Sequence, residues 1–105
     1  MTLPTTAVSH LGLSPHTLAL LNSVLARHSG IQRAIVYGSR AKGNFRPGSD
    51  IDLTLDAPEL TLAELLRISS ELDDLMLPYT IDLSLLQQIN NPSLLEHIAH
   101  VGQPL

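Results

Sequence analysis

The chain predicts a small layered α/β (α+β) domain on two observations, the alternation of its apolar runs and the placement of its helix-starting residues. Apolar residues recur at helical spacing in three stretches, and strand-length apolar runs lie between them. The order is helix, strand, short helix, strand, helix, strand, helix, which is that of a sheet covered by helices. At 105 residues there is room for one such core and little more.

Residues 1–13 show no periodicity and are expected to form a flexible arm, leaving 14–105 as a single domain. Ser14 followed by Pro15 is an N-cap with proline at the first helical position. Leu18, Leu21, Val24 and Leu25 carry that helix to about His28, and Gly30 stops it. Ile31 to Tyr37 is a strand-length apolar run that Gly38 breaks. Ser39 to Lys42 suit one helical turn, after which Gly43, Pro47 and Gly48 force a loop. Asp50 to Leu55 is the second strand. Thr61 with Glu64 forms a capping box that opens a helix over Leu62 to Leu75, and Pro78 prevents its continuation. Tyr79 to Leu85 is the third strand. Asn91-Pro92 starts a last helix that closes near Gly102.

The bulk properties exclude several function classes. The net charge of −4 argues against a general electrostatic grip on nucleic acid, and three aromatics supply no base-stacking platform. The absence of cysteine rules out disulfides and thiolate metal sites. With no secretory signal and no membrane-length apolar run, a cytoplasmic home is expected. Hydrophobic residues make up 44% of this short chain. That surplus fits either a leucine-rich core or a surface awaiting an association partner.

The chemistry concentrates between Ile35 and Asp82. In a strand, side chains alternate between faces, so Asp50 and Asp52 share one face while Ile51, Leu53 and Leu55 share the other. Two carboxylates about 4 Å apart repel by roughly 4 kcal/mol at an effective dielectric of 20. Such a pair picks up a proton or binds a divalent ion. On the third strand Asp82 opposes Ile81 and Leu83 in the same way. If that strand lies beside the second, Asp82 joins the other two acids. Oxygen-only ligands suit Mg²⁺ or Mn²⁺ better than zinc.

Next to the acids lies material for holding phosphate. Gly38 lets the backbone approach a ligand, and Ser39 presents a hydroxyl and the free N–H groups of a helix start. Of the six basic residues, Arg40, Lys42 and Arg46 fall within one seven-residue window. Together these parts suit nucleotidyl transfer, in which two metal ions held by Asp50, Asp52 and Asp82 assist an in-line displacement that releases pyrophosphate.

Gly38-Ser39 followed after ten residues by Asp50-Ile51-Asp52 resembles the signature of the DNA polymerase β-type nucleotidyltransferases. The wording Tyr-Gly-Ser-Arg-Ala-Lys-Gly is most similar to the minimal, MntA-like members (MNT). The resemblance implies a mixed sheet of three strands, or slightly more, with helices packed on one side. It implies two Mg²⁺ ions at Asp50, Asp52 and Asp82, and ATP phosphates at Gly38 and Ser39. It also implies a HEPN-domain partner, commonly a toxin ribonuclease, to a tyrosine of which some members transfer AMP, so that this chain would be the antitoxin. Lys42 stands where arginine is frequent in the family, which keeps the charge but loses the bidentate fork.

Other readings compete. An isolated Asp-x-Asp is most often a solvated strand-edge pair, and Ser39 also suits a plain helix cap. His97 and His100, near a helix C-terminus, fit a solvated face, and Tyr37 and Tyr79 fit the core. The rival functions are a catalytically idle subunit that masks its partner and a small-molecule nucleotidyltransferase whose acceptor site forms between copies of the chain.

Overall fold

The computed structural model describes residues 10–46 and 48–105. Helix α1 (Pro15–Leu25) starts as expected: Ser14 Oγ accepts the Thr17 N–H at 3.1 Å, and Pro15 fills the first turn. It stops short of His28 because the Arg27 and His28 N–H groups turn back onto the Val24 and Leu25 carbonyls. Then come β1 (Arg33–Tyr37), the single turn α2 (Ser39–Lys42) and β2 (Ile51–Asp56). The helix α3 (Leu62–Asp73), strand β3 (Ile81–Leu85) and helix α4 (Pro92–Val101) follow, with a short final strand β4 (Gln103–Pro104).

The expected capping box is present in both directions at Thr61 and Glu64. Asn91 Oδ1 accepts from the Ser93 and Leu94 N–H groups, and Pro92 starts α4. The arm expected over 1–13 lies, for residues 1–9, outside the described residues. Its last part is packed: Leu11 and Leu13 are buried in the core.

The sheet has four strands in the order β3-β2-β1-β4. β1 runs antiparallel to β2 and β4, whereas β2 and β3 are parallel. Parallel neighbours need a crossover, which α3 supplies. Strand β4 extends the expected three; two residues are too few to show a period.

One face of the sheet carries Val36, Ile51, Leu53, Leu55 and Leu85, all buried against α1 and α3 through Leu21, Val24, Ile68 and Leu72. The opposite face carries Ile35, Tyr37, Asp52, Thr54, Asp82 and Ser84, by strand alternation. The expectation of helices on one side needs correcting at α4. The His97 ring of this helix meets the Tyr37 ring edge-on, with centroids 6.1 Å apart, and Gly102 lies against Ile35. Helix α4 therefore covers the β1 end of the second face and leaves the acids open.

The apolar surplus is partly exposed. Leu62 and Leu66 are 60% and 61% accessible and Met76 is 86% accessible. An open apolar groove of about 950 Å³ runs between α1, the start of β1 and α4, past Leu25, Ile31, Leu95 and Ile98. Among the described residues no helix is long and apolar enough to cross a membrane.

The crossover helix depends on its cap. Replacing Thr61 with Ala leaves the Glu64 N–H without its side-chain acceptor and should cost about 1 kcal/mol. Urea unfolding should show a lower midpoint at an unchanged slope.

Candidate active site

The site lies at one end of the sheet, where the end of β1 meets the beginnings of β2 and β3. Asp52 and Asp82 are register partners on the parallel pair β2/β3. Neighbouring strands lie about 4.8 Å apart, so the two carboxylates on this shared face are immediate neighbours. Across the antiparallel pair Asp52 faces Tyr37. Asp50 precedes β2 and is exposed, as is Asp82, while Asp52 is half-buried. Thus the three sequence-predicted acids occupy the same sheet end, with Asp50 just off the strand.

Crowding shows in the protonation of Asp52. Burial raises its pKa above the ordinary aspartate range, the Asp82 and Asp50 charges push it higher, and His97 opposes them. The Tyr37 hydroxyl is also shifted up, first by burial, which Ser84 opposes, and then by the charges of Asp52 and Asp82. It therefore stays protonated at neutral pH. Among the described residues no three His, Cys, Asp or Glu side chains converge closely enough to hold a metal ion by themselves. An oxygen-only pair with a third acid alongside still suits magnesium, which keeps several water ligands and takes others from substrate phosphates.

Gly38 joins β1 to α2 at φ +74° and ψ −152°, a conformation open to glycine. A Cβ at this position would collide with the Asp52 carboxylate. The glycine thus lets the turn that carries Ser39 rest directly against an acid. The first ladder bond of α2 runs from Lys42 N–H to Gly38 O at 3.0 Å, leaving the Ser39, Arg40 and Ala41 N–H groups outside the ladder.

Arg40 requires a correction. Expected at the phosphates, it is instead 3% exposed and fully engaged. Its Nη1 donates to Leu11 O at 3.0 Å, and its Nε and Nη2 donate to Ser49 O at 3.1 and 2.9 Å. The guanidinium also lies 4.7 Å from the Tyr79 ring centre and 5.1 Å from that of Phe45. Carbonyl oxygens and ring faces compensate the buried charge. Arg40 therefore ties residue 11 and the loop before Asp50 to α2. Lys42 and Arg46 are exposed, and the Arg46 N–H donates to Ser49 Oγ at 2.8 Å.

His97, assigned from sequence to a solvated face, belongs to the site: its Nε2 accepts the Gly38 N–H at 3.0 Å. Spacing gave no signal for this contact, because it depends on α4 lying over the acid-bearing face.

A family model described as "Polymerase beta, Nucleotidyltransferase" matches residues 20–105. No curated protein matches the chain. Among solved structures, the chain is similar to a toxin–antitoxin with AMP-PNP, at 19% identity and a TM-score of 0.66, over 88% of this chain and 72% of that one. It is similar to the toxin–antitoxin MntA-HpeT in a mutant form, at 21% identity and a TM-score of 0.65, over 89% and 72% of the two chains. A third is a tri-AMPylated HEPN toxin in complex with MNT antitoxin from Shewanella oneidensis, at 16% identity and a TM-score of 0.58, over 84% and 70%. At these identities the likeness is one of fold.

The charge crowding has a sign that can be checked. An acid whose pKa is raised on folding destabilises the native state above that raised value, and the cost fades as pH falls towards the unfolded value. Asp82→Asn should therefore raise the melting temperature of the metal-free protein at pH 7, with the gain shrinking as pH approaches 4. Thermal melts in EDTA across that range would show it. Arg40→Lys, which loses the fork onto Ser49 O, should cost about 1.5–3 kcal/mol in urea unfolding.

Proposed function

Because the chain belongs to the polymerase-β nucleotidyltransferase family, we propose that residues 14–105 act as one Mg²⁺-dependent domain that transfers AMP from ATP to a tyrosine hydroxyl of a HEPN-type toxin, and so serve as its antitoxin. The observation that carries this reading is the register pairing of Asp52 with Asp82 beside the Gly38-Ser39 turn. Neighbours of the same fold include a toxin–antitoxin with AMP-PNP and an AMPylated HEPN toxin with its MNT antitoxin, which supports both the nucleotide and the partner. The exposed Leu62, Leu66 and Leu95 side chains are compatible with a protein acceptor. ATP and such a partner would be met in the cytoplasm.

In this reading Asp50, Asp52 and Asp82, together with phosphate oxygens of the substrate, would hold the magnesium, as two ions, with manganese as an alternative. When bound, the metal would neutralise phosphate charge and favour the alkoxide form of the acceptor. Ser39, through its hydroxyl and N–H, binds the triphosphate, and Gly38 allows its close approach. Lys42 and Arg46, exposed on the loop, offset the charge of the departing pyrophosphate. Asp82 receives the acceptor proton as the new O–P bond forms on the α-phosphorus and the bond to the β-phosphate oxygen breaks. Arg40 has no part in this step; it holds the loop that presents Asp50.

Incubation with ATP, magnesium and a HEPN partner should add AMP to that partner, read by intact mass. Asp52→Asn should abolish the addition and restore toxicity. Retained neutralisation by Asp52→Asn would instead support masking by contact. AMP appearing only on small hydroxyl compounds would support the small-molecule enzyme.

A further inference from the structure

Resting on the nucleotidyl-transfer reading above, we propose that His97 is a positioning residue: it pins the catalytic turn by accepting the Gly38 N–H, and thereby sets nucleotide affinity. Three observations meet at this contact. The Gly38 N–H lies 3.0 Å from His97 Nε2, across 59 residues of sequence. The imidazole stands edge-on to Tyr37, with rings inclined at 80°, and this packing limits its rotation. On its other side Gly38 abuts the Asp52 carboxylate so closely that a side chain at residue 38 would strike it.

Glycine needs such a pin more than any other residue, since it populates many backbone conformations of similar energy. The α2 ladder does not supply one, because its first bond uses the Gly38 carbonyl and leaves the N–H unanswered. Helix α4 answers it from outside. It is held by the Asn91 cap at one end and by the buried Ile98 beside the histidine. A ring nitrogen accepts a hydrogen bond only when it carries no proton, so the contact selects the tautomer protonated at Nδ1.

The kinetic consequence follows from population. With the pin removed, Gly38 samples conformers in which Ser39 no longer sits beside the acids. Apparent nucleotide affinity then falls by the fraction of turns still in place. For a bond of ordinary strength this is about a 3- to 10-fold rise in the KM for ATP. The acids and their spacing are untouched, so kcat should change less than twofold.

The test uses the full chain in three forms: wild type, His97→Ala and His97→Gln, the last keeping an acceptor oxygen. In the wild type, nitrogen NMR should show Nδ1–H with an unprotonated Nε2, and the Gly38 amide should exchange slowly. His97→Ala should lose that amide protection and raise the KM at constant kcat; His97→Gln should recover most of both. An Nε2–H tautomer in the wild type would overturn the proposal even if neither variant folds. So would His97→Ala with unchanged Gly38 exchange, or with tighter ATP binding, which would mean that phosphate takes the Gly38 N–H directly. Failure of the function itself reads differently: the wild type would then bind no magnesium–ATP while its Gly38 amide remained protected by His97.

Discussion

The molecule is organised around two like charges that the backbone will not let separate. Parallel pairing of β2 with β3 sets Asp52 opposite Asp82 and, by the same register, Leu53 opposite Leu83 and Leu55 opposite Leu85. Sliding β3 by one residue would part the acids, but it would also turn Leu83 and Leu85 out of the core. Burial of the leucines thus enforces the repulsion. The Asp52 pKa is raised accordingly, first by burial and then by the charges of Asp82 and Asp50. On the proposed reading, such a site would give up native-state stability in exchange for affinity towards a cation.

Much of this was legible in the sequence, because it depends on local pattern. Alternation in Asp50 to Leu55 and in Ile81 to Leu85 assigns the acids to one face, and that needs only the period of a strand. Ser14-Pro15, Thr61 with Glu64, and Asn91-Pro92 announce helix starts by chemistry confined to four residues. Each is found where expected. Gly38-Ser39 is recognisable because the conformation it needs is nearly exclusive to glycine.

What the sequence hid depends on contacts between distant segments. Arg40 sits among basic residues and looks like a phosphate ligand, yet its partners are carbonyl groups of Leu11 and Ser49 and the rings of Phe45 and Tyr79. Backbone carbonyls leave no trace in composition, so nothing distinguished Arg40 from Lys42. His97 was hidden for a similar reason. Its role depends on which face of the sheet α4 covers, and the apolar stripe of a helix does not say which face that is. Strand β4 contains two residues and draws its identity entirely from pairing with β1.

The crossover between β2 and β3 also governs when the candidate site can first assemble. Asp52 and Asp82 belong to parallel strands joined through α3, so their meeting requires a long loop to close and the intervening helix to dock. Non-local pairings of this kind form late in folding. Until that docking, the chain displays the Gly-Ser turn and the first acids without the last one. On the proposed nucleotidyl-transfer reading, an incompletely folded chain would therefore consume no ATP.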